Sequence, residues 1–167
     1  MDLLTHIFLP LTAAYVLKRE AFPSHYYLLL GLFAVVPDFD KFTGEPYLHS
    51  LIGVGAIAVV LLVGERIIRG TNLYSGIAGL FLFSHLLLDI LEGNTVPLLY
   101  PFVTTGVGLT FPLKVIFHSP TFSFADAPAK LVCDVPHMGN TYLLFSGYGV
   151  ASALLFTMIY WGLRKYK

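Results

Sequence analysis

The sequence is short of charge and of cysteine. Asp, Glu, Lys and Arg make up 12% of the 167 residues, about half the ~25% of an average soluble domain. With 15% aromatic residues as well, it is not a disordered chain, which would be charge-rich and poor in aromatics. Ten basic side chains balance ten acidic ones, so no basic excess is left to neutralise phosphates, and nucleic acid is not an expected partner. Cys133 is the single cysteine, which excludes an intrachain disulfide and a CxxC-type zinc site. Any metal would be held by His, Asp or Glu. A basic n-region is missing too. Asp2 is acidic, and Thr5, His6, Pro10 and Thr12 interrupt the first apolar run, so the start does not read as a signal peptide.

What the chain does have is apolar sequence, 56% of all residues, in five runs at 3–17, 21–36, 49–68, 73–91 and 142–163. Crossing a bilayer takes ~20 helical residues. The last run meets this cleanly, and the third and fourth meet it with their polar ends counted. The first two are short, and Pro10 is placed to kink the first. Short helices still cross where the bilayer thins or flanking residues snorkel. Between 93 and 141 the character changes. Pro97, Pro101, Pro112, Pro120, Pro128 and Pro136, with Gly106, Gly108 and Gly139, interrupt any helix. Residues 108–117 are rich in strand formers and suit a short strand or hairpin. The expected fold is all-α: one membrane-embedded domain over 1–167, a bundle of four to five helices. A small irregular extramembrane cap is expected over 93–141 and a final membrane helix over 142–163.

Charge gives this bundle a direction. Lys18, Arg19, Arg66, Arg69, Arg164, Lys165 and Lys167 fall at one set of helix ends, and Lys41, Lys114 and Lys130 at the other. The positive-inside rule then places the N-terminus outside and the C-terminus inside. Eight acids, Asp2, Asp38, Asp40, Glu45, Asp89, Glu92, Asp126 and Asp134, fall on the outer side, and only Glu20 and Glu65 on the inner.

That direction gathers ionisable residues from four helices at one depth. Such residues are costly within a membrane segment and point to function with a nearby partner. His85 and Asp89, four apart, share one helical face in a stretch otherwise apolar but for Ser84. They suit either a shared metal ion or a packing hydrogen bond. Pro37 is expected to end the second helix, leaving Asp38 and Asp40 in a tight turn, where carboxylates oppose the helix dipole. A bound cation would offset that repulsion, and a solvated turn is the plainer alternative. His49 opens the third helix beside Ser50, a natural cap, and His6 lies near the outer start of the first. His25 reads as interfacial on the inner side. His118 and His137 lie in the cap, with a spacing that fits no pattern. Mixed His and carboxylate donors suit Zn²⁺ first, then Mn²⁺ or Fe²⁺, over the all-oxygen ions. Asp89 is able to bridge two ions.

Thr5-His6, Pro37-Asp38-Phe39-Asp40, His49-Ser50, and His85 to Asp89 followed by Val96-Pro97-Leu98-Leu99-Tyr100-Pro101 occur in that order. In this the sequence resembles the YdjM-like, LexA-regulated inner-membrane proteins, a family described as metal-dependent hydrolases. The resemblance runs over about 1–101; beyond it the chain matches only as cap plus final helix. That family is in turn distantly similar to the zinc-dependent phospholipase C and single-strand nuclease superfamily, helical bundles that cleave phosphoesters with clustered zinc ions. The resemblance implies His6, one of Asp38 and Asp40, His49, His85 and Asp89 as ligands. A second downstream His/Asp pair is missing, so one or two ions are expected rather than three.

The expected function is therefore a membrane-embedded, metal-dependent hydrolase of a phospholipid or lipid-linked phosphoester. Whichever of Asp38 and Asp40 is not a ligand would take the water's proton, and Lys41 or Lys114 would steady the phosphate. The alternative is a metal-ion or proton transporter, or a metal-binding membrane protein, using the same cluster. Transport needs polar groups leading inward, where only Thr12, Tyr15 and Glu65 are available.

Overall fold

The computed structural model describes residues 2–17, 25–112, 114–118, 121–136 and 143–164. Helix α1 spans Leu3–Leu17. Asp2 starts it, its carboxylate accepting from the amides of Leu4 at 3.0 Å and Thr5 at 3.2 Å, which satisfies two of the unpaired N–H groups of the first turn. The second apolar run forms a 3₁₀ helix over His25–Phe39, much longer than the usual single turn of that type. Pro37 lies inside this helix and does not end it as the sequence suggests. Proline's fixed φ near −65° is itself helical, so it can sit inside a helix that forgoes the one hydrogen bond its missing amide would donate. The chain then passes directly into a four-residue helix α2, Asp40–Thr43, so Asp38 and Asp40 sit at a helix junction and not in an open turn.

Helix α3 covers Leu51–Arg69, capped by Ser50, whose Oγ accepts from the amide of Gly53 at 2.9 Å. His49 therefore precedes the helix by one residue beyond its cap. Helix α4 covers Leu73–Glu92 and stops at Gly93, whose φ of 91° only glycine adopts without strain. Helix α5 covers Gly147–Arg164. Helices α3 and α4 are long and apolar enough to cross a bilayer, while α1 and α5 are shorter apolar helices. Only 11% of the apolar window of α3 is buried within the protein. Val59, Val60, Val63, Ile67 and Ile68 point outward, as they would toward lipid.

The core runs between the helices. Leu11 and Tyr15 of α1, Ala34 of the 3₁₀ helix, Phe81 of α4 and Phe156 of α5 form one buried cluster. Val54 of α3, with Leu82 and Leu86 of α4 and Val96 beyond it, forms a second. Helix α4 is the common partner, packing against the 3₁₀ helix, α3 and α1. In lipid such packing holds by van der Waals contact and polar ties, because acyl chains are as apolar as Leu.

The segment after α4 is more ordered than an irregular cap, so the fold is mostly helical with a β element. Strand β1, Gly106–Thr110, pairs antiparallel with β4, Lys130–Asp134, and β2, Lys114–His118, with β3, Thr121–Ala125. One pair is nested inside the other along the chain. The short strand or hairpin expected over 108–117 is instead shared between β1 and β2, which pair with other strands. Phe111 and Pro112 belong to neither, and proline has no amide to give a ladder.

Candidate metal centre

The six residues singled out in the sequence come together. His6, Asp38, Asp40, His49, His85 and Asp89 are all buried, none more than 7% exposed. Helix α1 supplies His6, the 3₁₀ helix Asp38, α2 Asp40, the turn before α3 His49, and α4 both His85 and Asp89.

The three imidazoles are each held by one nitrogen. His6 Nδ1 lies 3.1 Å from the carbonyl oxygen of Asp2, His85 Nδ1 2.6 Å from that of Ala34, and His49 Nδ1 3.1 Å from Asp40 Oδ2. All three partners only accept, so each Nδ1 carries the hydrogen, and in the neutral ring each Nε2 presents a lone pair. Such a fixed tautomer is the usual condition of a metal-binding histidine. The Nε2 atoms face one another and the carboxylates. His85 Nε2 is 3.3 Å from His49 Nε2 and 3.3 Å from Asp89 Oδ2, and His49 Nε2 is 3.6 Å from that same oxygen. Asp38 Oδ1 stands 3.9 Å from both nitrogens. Ligand atoms around a tetrahedral ion with bonds of ~2.0–2.1 Å are ~3.3 Å apart. The triangle of His49, His85 and Asp89 has that size.

His6 joins from the other side of Asp89. Its ring stacks on His85 at 4.2 Å between centroids, and its Nε2 lies 3.4 Å from Asp89 Oδ1. This nitrogen is buried with no hydrogen-bond partner among the described residues, although a buried polar atom left alone costs ~1–3 kcal/mol. Two sets, His6 with His85 and Asp89, and Asp38 with His49 and His85, hold their ligand atoms within 4.8 Å of one another. The donor set fits a divalent ion of the zinc type, with the two oxygens of Asp89 turned toward different histidines.

Asp40 stands apart from this face. Its Oδ2 accepts from the amides of Leu48 at 2.6 Å and His49 at 2.8 Å as well as from the His49 ring. The carboxylate expected to oppose a helix dipole thus gathers the chain between α2 and α3 and aims His49. Lys41, on α2, places Nζ 2.5 Å from Asp38 Oδ1 and is partly exposed, at 27% of its side chain against 7% for Asp38. At the surface nearby, Tyr100 donates to Glu45 Oε2 at 2.5 Å, and its ring meets Tyr47 edge-on. The bond to Glu45 pushes the Tyr100 phenol up to about 12.

The side chains of His25, Lys114 and His118, and all of His137, lie outside the described residues. Several supports of the site carry no sequence motif: the carbonyls of Asp2 and Ala34, and Asn94, whose Nδ2 donates to Asp89 Oδ1 at 3.0 Å. The start of α5 is tied in as well, through a hydrogen bond from Ser146 Oγ to Asp2 Oδ2. Only Asp2 left a trace in the sequence, an acid just before an apolar helical run.

Two helices long and apolar enough to cross a bilayer, one of them carrying His85 and Asp89, fit the class of membrane proteins with a buried ionisable centre. The chain belongs to the YdjM inner membrane protein family, whose family model matches residues 1–167. No curated protein and no solved structure matches it. Membership establishes the inner membrane, and so the lipid bilayer, as its setting.

Proposed function

We propose that the protein is a metal-dependent hydrolase embedded in the membrane, acting on a phosphoester carried by a phospholipid or a lipid-linked phosphate. The observation that carries this reading is the meeting of two bare Nε2 atoms, those of His49 and His85, with Asp89 and Asp38 beside a partly exposed lysine. The distant resemblance to zinc-dependent phospholipases supports the same class. His49, His85 and Asp89 hold the ion, Zn²⁺ by preference, and His6 with Asp89 Oδ1 offers a place for a second. A bound divalent ion supplies an activated water and a positive charge opposite the phosphoryl oxygens.

The chain's own residues do the rest. Asp38 lies just outside the ligand triangle and takes the proton of the attacking water, a role worth ~10²–10⁴-fold in rate. Lys41, reaching from the surface to Asp38, steadies the phosphate. Asp40 orients His49. Four to five helices cross the bilayer, with the N-terminus and the site on the outer side and the C-terminus inside. There a lipid headgroup reaches the site laterally, while a soluble substrate would have less need of an apolar bundle.

Transport is the weaker reading because the polar groups toward the inner end are engaged locally. Thr12 Oγ1 donates to the carbonyl of Phe8. Glu65 accepts from Thr71 Oγ1, from the amides of Tyr74 and Ser75, and from Ser75 Oγ. The test is direct. Purified protein in lipid should release phosphate or a headgroup from a phosphoester panel, stop with chelator, and recover with Zn²⁺ or Mn²⁺. Metal flux in sealed proteoliposomes without hydrolysis would favour transport instead.

A further inference from the structure

The carboxylate at the centre of the site has a support outside the membrane helices. Asn94 is the second residue beyond α4. Its backbone amide donates to the carbonyl of Asp89 at 3.1 Å, and its Nδ2 to Asp89 Oδ1 at 3.0 Å. A carboxylate accepts only, so the amide must present its NH₂ to Asp89. The other oxygen, Oδ2, is thereby left to His49 and His85. Without this bond Asp89 could turn about its last torsion, which is broad for carboxylates, and carry Oδ2 away from the two nitrogens.

Asn94 is itself held by strand β1. Val96 and Val107 exchange two backbone hydrogen bonds, Val96 amide to Val107 carbonyl at 3.0 Å and the reverse at 2.9 Å. Two glycines let β1 lie flat against residues 93–95. A Cβ at Gly108 would stand 2.5 Å from the carbonyl oxygen of Asn94, and one at Gly106 2.7 Å from the carbonyl carbon of Thr95. Both are distances that real Cβ atoms do not show. The alternating glycines of Gly106-Val107-Gly108 are thus explained by close backbone approach. Residues 93–96 are pinned between the end of α4 and the β segment.

We propose that Asn94 is a positioning residue for Asp89 and that β1 sets it through Gly108, so that the β segment outside the helices is a working part of the metal centre. The inference rests on the metal reading above and assigns the outer segment a part in it. A side chain that touches no ligand nitrogen, and a glycine that touches no ligand at all, should both tune the ion. Partners of this kind, when removed, typically cost ~10–100-fold in metal affinity.

The experiment loads the full chain in detergent with Co²⁺ and follows its visible absorption and its affinity by competition with a chelator. Asn94→Ala should weaken binding by ~10–100-fold and change the ligand-field spectrum while the thermal midpoint moves little. Gly108→Ala should do the same if it folds. Leu131→Ala, on β4 opposite Leu109 and 61% exposed, should leave affinity and spectrum as in the unaltered protein. Unchanged affinity and spectrum in Asn94→Ala overturn the inference and leave the metal reading standing. An unaltered protein that takes up no ion overturns both.

Discussion

The Nε2 atoms of His49 and His85 face each other at 3.3 Å, and neither neutral ring has a hydrogen to place between them. Their Nδ1 hydrogens are committed to Asp40 and to the carbonyl of Ala34. Two lone pairs at that distance repel in a buried setting, where electrostatics are poorly screened. A positive charge, a proton or a metal ion, relieves the repulsion, and Asp89 and Asp38 attract it. The two nitrogens are held in this arrangement by residues of four elements: Ala34 and Asp38 of the 3₁₀ helix, Asp40 of α2, His49 before α3, and His85 and Asp89 of α4.

Ion content should follow this geometry. His85→Ala and Asp89→Ala each remove a corner of the ligand triangle and should strip most bound metal, read by elemental analysis of purified protein. Glu65→Gln is the control. It weakens the tie from α3 to the start of α4 and should lower the unfolding temperature while ion content stays. Full occupancy in the Asp89 variant would refute the assignment of the site.

Asp38 and Asp40, two residues apart, should behave differently. Asp40→Ala leaves the amides of Leu48 and His49 and the His49 ring without their acceptor. It should cost at least ~1–3 kcal/mol of stability and weaken the ion ~10–100-fold through loss of His49 orientation. Asp38→Asn keeps shape and loses the base, so metal should stay while the rate falls ~10²–10⁴-fold. Equal loss of metal in both variants would make Asp38 a ligand and not the base.

The last apolar run, expected to span most cleanly over 142–163, is helical only from Gly147 and is shorter than α3 and α4. The two bilayer-length helices α3 and α4 and the six clustered residues are legible in the sequence for a physical reason. Apolar runs are long-range averages that survive local error, and ionisable residues in them are rare enough to stand out. His85 and Asp89 needed only the helical repeat to be placed together. What stayed hidden depends on backbone atoms. That Asp40 is a holder of His49 follows from two amides eight and nine residues downstream, which no spacing rule reports. Ala34 orients His85 through a carbonyl, invisible in any side-chain pattern. Pro37 misleads because a proline near the end of a helix costs only one hydrogen bond while its φ stays helical, so the chain continues past it to Phe39. Strand formers over 108–117 are legible, but the pairing is not, because β1 finds its partner β4 about twenty residues downstream.

Tyr100 gives a pH signature outside the bilayer segments. Its phenol is pushed up to about 12 by the hydrogen bond to Glu45, with burial and the charge of Glu45 acting the same way. In the unfolded chain it titrates near 10. Between those values the unfolded state loses a proton that the folded state keeps. The contribution of this group is complete below pH 10 and is lost as pH rises toward 12. Tyr100→Phe should flatten that alkaline loss, and phenolate absorbance should lose the late Tyr100 transition in both Tyr100→Phe and Glu45→Gln. A late transition that persists in Glu45→Gln would assign the shift to another tyrosine.

The proposed orientation of the bundle rests on seven basic residues at one set of helix ends against three at the other. Thr43, at the end of α2, and Thr71, between α3 and α4, are both exposed and lie at opposite ends of α3. They are therefore fair reporters of the two sides. In a background with Cys133 replaced, Thr43→Cys should react with an impermeant thiol reagent on intact cells. Thr71→Cys should react only after the membrane is opened. Arg66 and Arg69 sit beside Thr71, and holding their charge inside is what the bias predicts. Replacing both with Gln should weaken the preference and yield partial labelling at position 71. If Thr71→Cys labels on intact cells and Thr43→Cys does not, the site faces the cytoplasm, and its substrate must be sought in the inner leaflet.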